Sequence, residues 1–227
     1  MNDKVKILFE DEQVIVCVKP AGMPSQDDKS STMDLQNYLR NHAKQKSGSP
    51  EIWLIHRLDR PVGGVMVYAK TPQAAKSLST QIQTRQMGKR YYAVLTGVLA
   101  KKEGELADTL LKDGRTNMSK IVPKGTAGGK EARLKYKVLR TKFENGRQLS
   151  LVDIQLITGR HHQIRVQMAG TLAGIYGDCK YNSQMADEGN REEIGLFSYY
   201  LEFTHPKTRK KMVFEEKPSG GIFQKFF

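Results

Sequence analysis

A carboxylate set among arginines is the first group in this sequence that could do chemistry. Asp59 stands in His56-Arg57-Leu58-Asp59-Arg60. If both guanidinium groups converge on it, opposite charge favours its ionised form. An ionised carboxylate can attack carbon, as glycosidases show. Taken alone, an Asp beside Arg is most often a solvated or structural ion pair.

A second group is Thr158-Gly159-Arg160-His161-His162-Gln163-Ile164-Arg165. On an expected helix, Arg165 follows His161 by four residues and His162 by three, so they share a face. This cationic first turn could orient an acid or hold phosphate. The plain alternative is a basic helix start packed on a sheet. Adjacent histidines are expected to point in different directions, so no His-His metal pair is expected. A third group is Lys89-Arg90-Tyr91-Tyr92-Ala93. Neighbours in a strand face opposite sides, so at most one tyrosine looks into a given pocket. A tyrosine face can carry an unstacked base, although a core tyrosine is the more frequent outcome.

The surrounding pattern predicts what holds these groups. Val14 to Val18 is a β-rich run stopped by Lys19-Pro20-Ala21-Gly22, and Ser25 to Ser31 is turn-like. Thr32 is placed to cap a helix from Met33 to about Gln45, with Leu35, Tyr38, Leu39 and His42 on one face. A loop (Gln45 to Pro50) follows. Ile52 to Ile55 reads as a buried strand, HRLDRPVGG as an irregular loop and Val65 to Lys70 as a strand. Thr71 then caps a helix with Pro72 at its first position, where a missing N–H costs nothing. Its apolar face is Ala74, Ala75, Leu78 and Ile82.

Arg90 to Val98 is strand-like. Lys101 to Gly129 is the least regular stretch, read as a flexible RNA-gripping loop or as an ordinary solvated loop with short strands in it. Ala132, Leu134, Tyr136 and Val138 alternate with basic residues, the mark of a half-buried strand. Leu149 to Ile157 is another strand, followed by a helix from about His161 to Ala169. Leu196 to Phe203 and Lys211 to Phe214 complete the sheet. Many strands and three helices without β-α-β alternation predict an α+β fold with a mixed sheet. With no repeat or linker, residues 1–227 are expected to form a single domain.

The net charge of +13, from 37 basic and 24 acidic residues, points to a polyanion; the bland reading is solubility. No apolar run is long enough to span a bilayer. The opening MNDKVKILFEDE is charged where a secretory signal is apolar, so a cytoplasmic protein is expected. Cys17 and Cys179 read as buried small apolar residues rather than redox groups, with no disulfide. No metal-ligand spacing occurs, so no metal or cofactor is expected. Without coiled-coil heptads, a monomer is the default.

The order of these motifs resembles the RluA-type pseudouridine synthase family. The pieces are VKPAGMPSQ, HRLDRPVGGVMVYAK, KRYYA, TGRHHQIRVQ, YGDCKY and LEFTHPKTRKKMVFEEKP, spanning about Ile7 to Pro218. The resemblance implies the pseudouridine synthase fold: a largely antiparallel sheet with flanking helices around a central cleft. It implies isomerisation of uridine in structured RNA, ribosomal or transfer, by flipping the nucleotide from its stack.

By the same resemblance Asp59 is the catalytic aspartate, Tyr91 packs against the uracil, and Arg165 pairs with Asp59. Arg57 fills the space left by the flipped nucleotide. Arg57, Arg60, Lys89, Arg160 and His162 are the candidate RNA-binding residues. The chain departs from the family pattern at Val62-Gly63-Gly64 and at Gln167, which bears on loop positioning and substrate choice. Many relatives carry a small RNA-binding domain before the catalytic one; this chain is expected to hold the catalytic domain only. Two other classes compete. A non-catalytic RNA-binding protein would share the charge and the tyrosines, and a metal-dependent nuclease would need Asp59, Asp153 and Asp178 to converge.

Overall fold

Four strands come first, and in two of them, Val14–Lys19 and Gly63–Ala69, runs of β-branched residues suit a pleated surface better than a helix. The four are β1 (Lys6–Glu10), β2 (Val14–Lys19), β3 (Trp53–Leu54) and β4 (Gly63–Ala69), with helices α1 (Leu35–Ser47) and α2 (Pro72–Gln83) between and after them. There follow β5 (Gly88–Thr96), β6 (Glu103–Asp113), β7 (Met118–Val122), β8 (Lys130–Glu144) and β9 (Arg147–Leu156). Helices α3 (Gln163–Gly170) and α4 (Ser183–Ala186) precede β10 (Leu196–Thr204) and β11 (Lys211–Glu215), and a 3-10 turn closes the chain. The computed structural model describes residues 5–28, 32–47, 51–186 and 194–227. The fold is α+β with few helices, as the pattern predicts.

The chain divides into two units, Met1–Lys89 with Ser198–Lys217, and Arg90–Phe197 with Pro218–Phe227. β5 and β10 each pass along the chain from one unit into the other.

In the first unit β1, β2 and β4 are neighbours, with β10 beyond β4 and β11 on β10. The β1–β2, β2–β4, β3–β4 and β10–β11 pairs are antiparallel. β1 was not anticipated, because its charged sequence disguises a half-buried strand. One face of β2 and β4 buries Val14, Val16, Val65 and Val67 with Ala74 and Leu78 of α2. Ile15, Cys17, Met66 and Tyr68 point the other way and are equally buried, whereas Cys179, expected to be buried too, is exposed. Thr71 caps α2 as expected, its hydroxyl accepting from the Ala74 N–H at 3.1 Å. The cap of α1 is Asp34 rather than Thr32. The Asp34 carboxylate accepts from the Asn37 N–H at 3.0 Å, and the helix begins at Leu35.

The second unit is an antiparallel array in the order β5-β9-β8-β6-β7. Its first apolar cluster joins Val94, Leu149 and Leu151 to Phe223 and Phe226 of the closing turn. A second joins Leu110 and Ala132 to Val166 of α3, with Tyr181 against them. The Lys101–Gly129 stretch is largely strand, not a flexible loop: it holds β6 and β7 as a hairpin. Charged residues on its exposed positions hide the alternation. The 123–129 connection passes close over β6. A Cβ on Gly129 would lie 2.6 Å from Thr109 Cγ2, so the crossing needs glycine.

Candidate active site

Two ordered constructions hold the residues singled out above, one in each unit. In the first, the Asp59 loop is laced to the segment after β2. The Lys19 side chain is fully buried, and its ammonium donates to the carbonyls of Pro20 (2.9 Å), Met23 (2.6 Å) and Arg60 (3.1 Å). The Arg60 carbonyl also accepts from the Gly22 N–H at 2.8 Å, and Arg60 Nε returns a bond to the Gly22 carbonyl. Ser25 Oγ donates to the Leu58 carbonyl at 2.8 Å and accepts from the Leu58 N–H at 3.2 Å. A turn bond from the Val62 N–H to the Asp59 carbonyl (2.9 Å) closes the loop. VKPAGMPSQ and HRLDR are therefore one structure.

Burial pushes the Lys19 ammonium down to about 7; the Asp59 charge opposes that fall and the Arg60 charge adds to it. Asp59 thus has a buried cation in its field that the sequence reading missed. A lysine beside Pro and Gly reads as loop, and nothing local reveals that it turns inward. Asp59 itself is half-buried, while Arg57 and Arg60 are exposed. Gly64 at the loop's far end has φ +131°, and a Cβ there would lie 2.3 Å from the Ser198 carbonyl oxygen, so only glycine fits.

His56 Nε2 accepts from the Val67 N–H at 3.3 Å, which places the ring proton on Nδ1. That Nδ1 is shielded from solvent and has no hydrogen-bond partner among the described residues. Burial, with Lys89 nearby, pushes the imidazole down to about 3, so the ring is neutral at any working pH. Lys89 is half-buried, and burial lowers its own pKa, unlike a freely solvated phosphate contact.

In the second unit the Arg165 guanidinium is held from two sides. Its Nε and Nη2 donate to the Asp178 carboxylate at 2.8 and 2.7 Å, a bidentate pair with both side chains buried. Its Cζ also lies 5.1 Å from the centre of the Tyr181 ring. Asp178 and Tyr181 come from YGDCKY, and their role towards Arg165 was not foreseen. The pairing of acid and base along two separate motifs was the available signal.

The TGRHHQIR turn differs from expectation. α3 starts at Gln163, two residues later than predicted, because His162 adopts a left-handed conformation (φ 52°). The two imidazoles do not diverge; their rings stack with centres 3.8 Å apart. His161 Nδ1 lies 2.9 Å from Ser119 Oγ, and His162 Nδ1 lies 2.7 Å from the Tyr181 hydroxyl. Buried Gln163 closes the turn, accepting from Thr158 Oγ1 and the Arg160 N–H at 2.8 and 3.0 Å. Gln167, one of the departures from the family pattern, donates to Asp108 of β6 at 2.7 Å. Arg160 donates to the Glu131 carbonyl at 2.8 Å.

β5 separates its tyrosines as alternation requires. Tyr92 packs with the Val94 cluster and against Phe227, ring centres 5.1 Å apart. Tyr91 points to the opposite side and is buried. Of the carboxylates a two-metal nuclease would need, Asp153 is paired with Arg90 and Asp178 with Arg165. Those pairings leave neither poised to ligate a cation.

The fold is shared with pseudouridylate synthase domains of known structure. A solved structure titled human RNA pseudouridylate synthase domain containing 1 matches with a TM-score of 0.76, at 21% identity, over 95% of this chain and 84% of that one. Human RNA pseudouridylate synthase domain containing 4 gives a TM-score of 0.74 at 23% identity, over 93% of this chain and 88% of that one. Residues 13–170 match the family model described as RNA pseudouridylate synthase. The ribosomal large subunit pseudouridine synthase D of Nitrosomonas europaea is 34% identical over 93% of this chain and 61% of its own length. The tRNA pseudouridine synthase C of Haemophilus ducreyi is 31% identical over 92% of this chain and 89% of its own. The chain belongs to the RNA pseudouridylate synthase family. It spans about three fifths of the length of the ribosomal large subunit relatives it matches.

Proposed function

We propose that this chain isomerises uridine to pseudouridine in structured RNA, with Asp59 as the catalytic carboxylate. The reading is supported above all by the build of the HRLDR loop, whose acid stands half-exposed over a fully buried ammonium. The reaction breaks the bond from the ribose to uracil N1, turns the base and joins the ribose to C5. The proton lost from C5 is matched by one gained at N1, so atoms balance without an oxidant or an energy source. Extruding the nucleotide costs a few kcal/mol; Arg57, exposed on the same loop, would fill the vacated space. Asp59 acts as nucleophile or as the base that starts cleavage. Tyr91 would pack against the uracil, and Arg165 would serve as the counter-charge of Asp59. Arg60, Lys89, Arg160 and His162 would contact RNA.

The relatives' names carry both ribosomal and transfer RNA as substrate classes to this chain. None of the described helices is long and apolar enough to cross a membrane. Action in the cytoplasm, as a monomer and as one catalytic domain, completes the proposal. The test is incubation of the chain with RNA carrying tritium at uracil C5. Release of tritium to water, with new pseudouridines mapped in the product, is expected; RNA that keeps all its label would contradict the reading.

A further inference from the structure

Helix α3, which carries Arg165, is buried from Gln163 to Met168. Its apolar residues do not form one stripe: Ile164 and Met168 share a side, and Val166 faces away from them. Apolar packing alone therefore selects no single rotation of this short helix. Three of the buried residues are polar, Gln163, Arg165 and Gln167. Gln163 and Gln167, four apart, lie on one side, and Arg165 projects from roughly the opposite side.

The two glutamines form a ladder whose direction is fixed at its first rung. The Arg160 N–H, which can only donate, gives a bond to Gln163 Oε1 at 3.0 Å. That turns Gln163 Nε2 the other way, to donate to Gln167 Oε1 at 3.0 Å and the Arg133 carbonyl at 3.1 Å. Gln167 Nε2 in turn donates to Asp108 Oδ2 at 2.7 Å and to the Ala132 carbonyl at 3.3 Å. Every amide proton of both glutamines is used, and the ladder ends on a half-buried carboxylate of β6, an acceptor only while ionised. One side of α3 is thus tied to β6 and β8, while Arg165 on the other side is held by Asp178. A buried polar chain of this kind specifies one arrangement, because any other rotation leaves its donors without water or a partner.

We propose that Gln163, Gln167 and Asp108 are positioning residues, which set the rotation of α3 and so aim Arg165 for the reaction. This deepens the isomerase reading and rests on it. Asp178 fixes where the guanidinium ends; the ladder fixes how the helix beneath it is turned. None of the three needs to touch RNA, so their effect falls on turnover rather than on affinity.

The experiment reverses the last rung. Gln167→Glu sets a second carboxylate against Asp108, removing the donor and adding repulsion. In the tritium-release assay kcat should fall about ten-fold to a hundred-fold, with KM within about two-fold of wild type and the circular dichroism spectrum unchanged. Adding Asp108→Asn again sets a donor against an acceptor, in the opposite direction, and should return kcat to within about three-fold of wild type. The single variant should also regain turnover as pH falls, because two facing carboxylates come to share a proton. Wild type and the double variant should lack that acid-side recovery. A merely structural contact would change stability and leave the kcat of the folded enzyme as it was. Where Gln167→Glu does not fold, Asp108→Leu at the half-buried end carries the test: kcat should fall about three-fold or more at constant KM, and an unchanged kcat overturns the proposal. A folded Gln167→Glu as fast as an active wild type, a folded double variant no faster than the single one, or a loss confined to KM would also overturn it. A wild type that releases no tritium would overturn the isomerase reading and this proposal with it, so the two failures are distinguishable.

Discussion

The loop of Asp59 and the seat of Arg165 are held by opposite means. Main-chain carbonyls gathered round the Lys19 ammonium fix the acid's loop. Side chains fix the arginine, through the Asp178 carboxylate and the Tyr181 ring. A cradle of carbonyls depends on the path of the chain, on one buried amine and on the few side chains that tie the loop, Ser25 to Leu58 and Arg60 to Gly22. A guanidinium held by side chains depends on each partner by name. Substitutions should therefore act on the second construction through each partner of the guanidinium, and on the first mainly through Lys19 and Ser25.

The largest effect should follow from breaking the buried ion pair. Arg165→Met leaves the Asp178 carboxylate, 1% exposed, without its partner, which costs about 3–5 kcal/mol. Adding Asp178→Asn should restore most of that stability in denaturant titrations yet restore no tritium release. Full recovery of activity in the double variant would deny Arg165 a part in the reaction.

Lys19→Met tests the other construction through pH. Burial lowers the Lys19 pKa from 10.5 to about 7, so between those values the unfolded chain binds more protons than the folded one. Stability contributed by this site therefore rises as pH climbs from about 7 towards 10.5. The deficit of Lys19→Met relative to wild type should widen between pH 7 and pH 9.5 in denaturant melts. A constant deficit would mean that the amine is not depressed.

Smaller effects should separate the tyrosines. Tyr91→Phe should slow tritium release about ten-fold or more if its hydroxyl assists proton removal, whereas Tyr92→Phe, in the apolar cluster, should leave the rate nearly unchanged. The reverse order would move the assignment to Tyr92. Tyr181→Phe keeps the ring beside Arg165 but loses the hydroxyl that accepts from Ser119. It should cost about 1 kcal/mol of stability and slow turnover only slightly; a loss as large as that of Arg165→Met would show that the hydroxyl itself positions the arginine.

What the sequence made legible was local or carried by motif. Thr71 with Pro72 announces α2 because cap and first turn are neighbours in the chain. Alternation separated Tyr91 from Tyr92 for the same reason. Thr32 was the expected cap of α1, but Asp34, two residues on and buried, takes that place. The β6–β7 hairpin was hidden because its exposed positions carry charges and its connections carry glycine, the signature of a loop. The left-handed turn at His162 and the inward course of Lys19 depend on partners distant in the chain, Tyr181 and Arg60. No local pattern encodes those.

The central claim is that the Asp59 carboxylate carries the chemistry while other groups hold the RNA. Asp59→Asn keeps the shape of the side chain and removes its charge. The direct measurement is tritium release from uracil-labelled RNA by this variant, alongside its RNA affinity. The account predicts affinity within a few-fold of wild type and turnover lowered by about three orders of magnitude or more. Wild-type release by Asp59→Asn would contradict it.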